Sequence, residues 1–124
     1  MTASVMKGNL FLIHWNQMEA EALARLLRAE GWQVRIEAQD GARAWRSIRE
    51  DTPDVVVIFL ARLPSHGRKT AEALRSTRGT RGLPIVFVDG KPEAVEKATS
   101  KVPDAMYTGS AQLKEALAKF ARVS

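Results

Sequence analysis

Residues 53–67 read PDVVVIFLARLPSHG, and the unbroken apolar run from Val55 to Phe59 decides how the rest of the chain is arranged. A run of β-formers without polar alternation belongs to a strand covered on both faces, the interior position of a parallel sheet with helices on either side. The run continues through Leu60 and Ala61 into a loop punctuated by Pro64 and Gly67. In open α/β sheets ligands and reaction centres lie beyond the carboxyl ends of the strands, which directs attention to residues 59–62. Phenylalanine, leucine, alanine and arginine stand there, with no acid, nucleophile or base among them.

Outward from this strand the chain alternates strand and helix. On the N-terminal side, residues 9–14 (NLFLIH) form a short apolar strand. Asn16, with Glu19 three positions later, makes a capping box for a helix over 17–30. Ala22, Leu23, Leu26 and Leu27 share the apolar face of that helix, and Gly31 stops it. Residues 32–36 alternate Trp, Gln, Val, Arg, Ile, the pattern of a half-exposed strand nearer the sheet edge. Asp40 caps a second helix reaching about residue 50, with Trp45 and Ile48 turned inward.

On the C-terminal side, a third helix over 67–76 has a thin apolar face of Ala71 and Leu74, and residues 76–84 (STRGTRGLP) read as a mobile loop. Residues 84–88 form a continuous apolar fourth strand. Pro92 opens a fourth helix with Ala94, Val95 and Ala98 facing in, and 105–107 is a short fifth strand. Ser110 caps a last helix in which Leu113, Ala116, Leu117 and Phe120 follow i, i+3, i+4, i+7. Five βα units with short connections require right-handed crossovers and a parallel sheet, most simply in the order 2-1-3-4-5, within one domain over 1–124.

Composition narrows the function classes. The chain is 45% hydrophobic and 27% charged, enough for one real core and too patterned for a disordered segment. It has no cysteine, which excludes disulfides and thiolate metal sites. No apolar run approaches the ~20 residues of a membrane span, and the first fifteen residues lack the apolar core of a signal peptide. The expectation is a cytoplasmic protein without membrane contact, with Met1 and the amphipathic last helix marking a complete domain. Lys and Arg number 19 against 14 Asp and Glu, a net charge of +5 that favours acidic partners. The densest basic patch is Arg62, Arg68, Lys69, Arg75, Arg78 and Arg81. Without interleaved aromatics for base stacking it reads first as a solvated helix face and second as an anion or nucleic-acid footprint.

Five fragments carry a family resemblance: LLRAEGWQV (26–34), AQDGARAW (38–45), PDVVVI (53–58), LPIVFV (83–88) and PDAMYT (103–108). In type, order and spacing the chain resembles the receiver domain of the bacterial response-regulator (CheY-like) family over nearly its whole length. The resemblance implies a three-layer α/β fold, the flavodoxin-like (βα)5 doubly wound parallel sheet. It also implies where the family's phosphorylation chemistry should stand. The acidic pair that holds Mg²⁺ after the first strand corresponds to His14 and Trp15, with Asn16 following. The phosphoryl-accepting aspartate corresponds to Phe59, or to Leu60 when counted back from Pro64. The Thr or Ser after the fourth strand corresponds to Asp89 and the lysine after the fifth to Gly109. Met106 takes the place of the switch aromatic, with Tyr107 displaced by one, while Thr108 fits the pattern.

An aspartyl phosphate needs a carboxylate nucleophile, and Mg²⁺ needs hard oxygen ligands. Phe59 supplies neither, and Asp89 sets a negative charge where phosphate oxygens would go. The expectation is a degenerate pocket of His14, Trp15, Phe59, Asp89 and Gly109 in a pseudo-receiver that is no enzyme and takes no cofactor or metal. Such a chain would serve a two-component system or phosphorelay as a phosphorylation-independent protein-binding module. His14, His66 and Asp89 as a metal set, and Ser65 with His66 as a nucleophile and base, are set aside for want of supporting partners or an elbow motif. GTRG and DGK lack phosphate-loop spacing.

Trp15 either covers the filled pocket or stands exposed as a partner anchor. Lys91, Met106, Tyr107 and Ser110 fall on the face of the fourth helix, fifth strand and fifth helix. The resemblance implies docking there of a signalling protein, a kinase or regulator, or of a second copy; core packing of Tyr107 is the alternative. The competing function is nucleic-acid or polyanion binding through the basic patch.

Overall fold

In the computed structural model, which describes residues 7–122, β3 (Val55–Phe59) lies at the centre of a five-stranded sheet with every one of its side chains buried. Around it run β1 (Gly8–Ile13), α1 (Gln17–Ala29), β2 (Trp32–Glu37) and α2 (Gly41–Glu50), then α3 (Pro64–Ser76), β4 (Ile85–Val88), α4 (Pro92–Lys101), β5 (Met106–Thr108) and α5 (Leu113–Leu117). The strands are parallel in the order β2-β1-β3-β4-β5, the doubly wound arrangement expected of a chain whose third strand is apolar throughout.

Alternation along the strands divides the interior into two cores. Phe11, Ile13, Ile58, Leu60 and Phe87 pack under α2, α3 and α4 with Ile48, Leu74 and Ala98. Leu10, Leu12, Val57, Phe59 and Val88 pack under α1 and α5 with Ala24, Leu27, Leu113 and Leu117. The start of β1 is fixed by Asp54, whose Oδ2 accepts from the Asn9 amide at 2.7 Å. Asn16 and Asp40 cap α1 and α2 as expected, accepting from Glu19 N and from Ala42 and Arg43 N.

Several local expectations are corrected. The buried face of α1 is Ala20, Ala24 and Leu27 with Leu23 partly covered, whereas Ala22 and Leu26 are exposed. Two of the three buried positions on this helix are thus taken by alanine. Helix α3 starts at Pro64 instead of residue 67: Leu63 turns the chain with a left-handed φ of 44°, and Pro64 takes the first helical position, where its missing N–H costs nothing. Residues 76–84 contain a 3₁₀ turn at Arg78–Thr80, and the buried Thr80 hydroxyl donates to Leu74 O at 2.6 Å, so the segment is tied to the end of α3. Trp45 is only partly buried and donates to Thr77 Oγ1 at 2.9 Å. Ser110 does not cap the last helix. It opens a 3₁₀ turn, and α5 is a single short α-helical segment followed by another 3₁₀ turn at Ala118–Phe120. Strands β1, β4 and β5 each lie within one residue of their expected bounds.

Gly67, inside α3, is where this helix touches β3: a Cβ there would stand 2.7 Å from Ile58 Cγ2. Alanine's helix propensity would recover up to about 1 kcal/mol, but overpacking a closed core costs about 1–3 kcal/mol. Gly67→Ala is therefore expected to lower the unfolding free energy in urea by about 1 kcal/mol. Gly82→Ala, where a Cβ meets nothing within 4 Å, should leave the midpoint unmoved.

Candidate functional site

The register defines the carboxyl edge of the sheet. Ile13 is level with Ile58, Phe59 with Val88, and Val88 with Thr108. His14, Phe59, Val88 and Thr108 therefore form the last level of the ladder, and Trp15, Leu60, Asp89 and Gly109 follow one residue beyond. Successive residues of a strand point to opposite faces. Phe59 and Val88 belong to the α1/α5 core, Trp15 and Leu60 to the core under α2, α3 and α4. Of the two residues that counting left open at the end of β3, Phe59 is the strand's last residue and Leu60 turns to the other side.

The last level is filled by two stacked rings. The His14 imidazole lies on the Phe59 ring with centroids 4.5 Å apart and planes 29° from parallel, and each residue is 6% exposed. His14 Nε2 is 3.5 Å from Glu19 Oε1, and Glu19 Oε2 accepts from Arg62 Nη2 at 2.8 Å, so an ion pair between α1 and the β3–α3 loop closes over the stack. His14 Nδ1 is buried without a hydrogen-bond partner. Burial pushes the His14 pKa below its ordinary value of 6.5, with Arg62 pushing the same way and Glu19 and Asp89 opposing. The imidazole is thus neutral at neutral pH. The Arg62 hydrogen bond holds the Glu19 carboxyl below its usual range.

Asp89 is engaged elsewhere. Its backbone adopts a left-handed φ of 59°, its amide donates to Thr108 O at 3.2 Å, and its Oδ1 accepts from the Ser110 amide at 2.8 Å. The carboxylate thereby ties the β4–α4 connection to the β5–α5 connection. Gly109 sits beside it, where a Cβ would lie 3.9 Å from Asp89 Oδ1. A site of this composition offers a neutral imidazole and carboxylates already committed to an arginine and a backbone amide. It presents no carboxylate at the end of β3.

Trp15 is 9% exposed and inserted between Gly41 and α3, with His66 edge-on at 5.8 Å. It is neither an exposed anchor nor a cover for Phe59, because it lies on the other side of the sheet; His14 provides that cover. Its indole Nε1 is buried without a partner. Lys91 and Ser110 are exposed, Met106 is half-buried, and Tyr107 is 43% exposed, so of the two readings of Tyr107 the surface position is the one observed. The basic patch is broken up by ion pairs: Arg62 with Glu19 at 2.8 Å, Arg68 with Glu72 at 3.6 Å, and Arg75 with Asp104 at 3.0 Å. Arg75 also donates to Leu83 O at 2.7 Å, which makes it a structural residue of the α3–β4 connection. Lys69, Arg78 and Arg81 are exposed.

Two contacts that shape this edge escape sequence reasoning. Glu19 and Arg62 are 43 positions apart, and Asp89 and Ser110 are 21 apart. The strand ends signal that these residues share an edge, but nothing in their spacing selects the partners.

A lowered histidine pKa has a defined sign in stability. The unfolded chain binds a proton near pH 6.5 that the folded chain resists, so stability is complete above that value and declines as pH falls toward the folded-state pKa. Urea midpoints of the chain should fall from pH 7 toward pH 5, and the slope should be shallower in His14→Gln. An equal slope in the variant would remove His14 as the cause.

Known proteins give an independent comparison. No family-wide sequence profile matches the chain. The DNA-binding response regulator MtrA of Mycolicibacterium smegmatis is 31% identical over 91 residues, which are 73% of this chain and 38% of that protein. MtrA of Mycobacterium tuberculosis strain H37Rv has the same identity and coverage. The chain thus spans well under half the length of these curated relatives. Among solved structures, a putative response regulator from Chloroflexus aurantiacus superposes with a TM-score of 0.78 at 22% identity, covering 91% of this chain and 96% of that one. A LuxR-family two-component response regulator from Aurantimonas superposes at 0.72 with 25% identity, covering 95% and 89%. The chemotaxis protein CheY4 of Vibrio cholerae superposes at 0.76 with 15% identity, covering 95% and 99%. Taken together, the strand order, this sequence similarity and the solved structures support the response-regulator receiver (CheY-like) domain family for this chain.

Proposed function

We propose that this chain is a pseudo-receiver: a phosphorylation-independent module that binds a signalling protein of a two-component pathway, a kinase or a regulator. The observation that carries this reading is the His14–Phe59 stack. It fills, with two buried rings, the place where an acceptor aspartate and its Mg²⁺ would need oxygen ligands and open space. Asp89 and Gly109 add to it, since a carboxylate fixed to the Ser110 amide and a residue without a side chain offer a phosphoryl group no cation.

Without a covalent switch, function falls to surface recognition. The surface made by α4, β5 and the turn into α5 presents Lys91, Tyr107 and Ser110, whereas Met106, expected on this surface, points to the opposite face of β5 and packs against the α1/α5 core. Tyrosine combines a large apolar body with a hydroxyl, a pairing common at the centre of protein interfaces. Tyr107 lies on the edge strand, level with Phe87, and is among the few large apolar side chains left exposed. A signalling protein or a second copy of the chain would dock there. Polyanion binding through the arginines is the weaker reading, because Arg62 and Arg75 are hydrogen-bonded to carboxylates within the molecule.

The test is a pair of measurements on the full chain. Intact mass after incubation with acetyl phosphate and Mg²⁺ should show no phosphoryl adduct. Beryllofluoride with Mg²⁺ should leave the amide signals of His14, Phe59, Asp89 and Gly109 in place. A phosphoryl adduct, or saturable shifts at those four residues, would overturn the pseudo-receiver.

A further inference from the structure

An unassigned feature at the carboxyl edge is a cleft of about 470 Å³ between α3 and α4, on the opposite side of the sheet from the ring stack. Its apolar lining is Leu60, Ala61, Pro64 and Ala94, and its polar lining is Ser65, Arg68, Lys91, Lys97 and Glu93. The two kinds of residue come from separate causes. The β4–α4 connection presses on Leu60, where a Cβ at Gly90 would stand only 2.8 Å from Leu60 Cβ, so backbone and leucine close the base of the cleft. The cations come from the two helices that flank it, Arg68 from the second turn of α3, Lys91 from the N-cap of α4 and Lys97 from its second turn.

Among the described residues their charges are at most loosely matched. Among the described residues neither Lys91 nor Lys97 has a carboxylate within 4.0 Å. Arg68 is more informative. Its side chain is only 18% exposed, yet its one carboxylate neighbour, Glu72, is 3.6 Å away, too far for a hydrogen bond. An arginine that gives up most of its hydration for a long contact keeps guanidinium donors available for something else. Glu93 is the one acid on the lining, leaving three cations against one carboxylate.

We propose that the α3–α4 cleft binds a small phosphomonoester that carries an apolar body. A dianion matches the excess of cationic charge, and Arg68 with its planar fork is suited to phosphate oxygens. The apolar base matches a ring or short hydrocarbon, and the volume falls within the range of small-molecule sites. A bare inorganic anion would leave that base uncovered, and a neutral apolar molecule would leave the cations unmatched. The site is separate from the stacked rings, and its existence does not depend on the pseudo-receiver reading.

Phenyl phosphate is the probe. Titrated into the ¹⁵N-labelled full chain without Mg²⁺, it should give saturable shifts at Ala61, Ser65, Lys91, Ala94 and Lys97. It should bind more tightly than inorganic phosphate or phenol alone. Arg68→Gln and Lys97→Gln should each weaken it by about ten-fold, the loss of one charge-assisted hydrogen bond. Lys97 is exposed, so its variant keeps the test valid even if Arg68→Gln perturbs packing. Arg46→Gln, an exposed change on α2, should have no effect. Absence of saturable shifts at the cleft, equal affinity for inorganic phosphate, or indifference to Lys97→Gln would each overturn the proposal.

Discussion

A strand with both faces in the dark cannot exist alone. Val55, Val56, Val57 and Ile58 are fully buried, and Phe59 nearly so. Each fully buried side chain of this size is worth about 1.5–3 kcal/mol, but only if helices cover both sides of the sheet. That requirement places α1 and α5 on one face and α2, α3 and α4 on the other. It also accounts for the close approaches at Gly67 and Gly90, where backbone is brought against Ile58 and Leu60 because a side chain would hold the layers apart. The edge where the candidate sites lie is a by-product of the same constraint, since all the strands run parallel and end together.

At that edge, magnitudes decide what holds the ring stack. The Glu19–Arg62 pair is short, but both side chains are half exposed, and solvent screening leaves exposed ion pairs little to contribute. The buried, unpartnered His14 Nδ1 costs about 1–3 kcal/mol. Burying Phe59 and stacking it against the imidazole supplies more than the ion pair does. Apolar packing therefore holds His14 in place, and the ion pair works mainly as a cover that keeps water from the ring. A charged imidazole would upset this balance, which is why burial dominates its titration.

How much of this could be read from residues alone follows from whether the signal is local. The apolar run of β3, the capping residues Asn16 and Asp40, and the Pro92 helix start each depend on neighbours a few positions away, and they were legible. So was the assignment of His14, Phe59, Asp89 and Gly109 to one edge, because a parallel sheet ends its strands together. The face of α1 is not legible from hydrophobicity, which favours leucine, while contact with the sheet is made by Ala20 and Ala24 alongside Leu27. Pro64 and Gly67 read as loop punctuation, although proline suits a first helical turn and Gly67 answers a packing demand from a distant strand. Trp15 and His14 are neighbours in sequence and so read as one pocket, whereas adjacency along a strand means opposite faces. The Glu19–Arg62 and Asp89–Ser110 contacts have no local signature.

Adjacency on opposite faces has a consequence for how such a chain can change over evolutionary time. His14 and Phe59 belong to one core, and Trp15 and Leu60, their immediate neighbours in sequence, belong to the other. The sheet between them acts as a partition. Substitutions on one side of it can accumulate without altering the leucine that floors the other. The two surfaces are therefore free to vary independently.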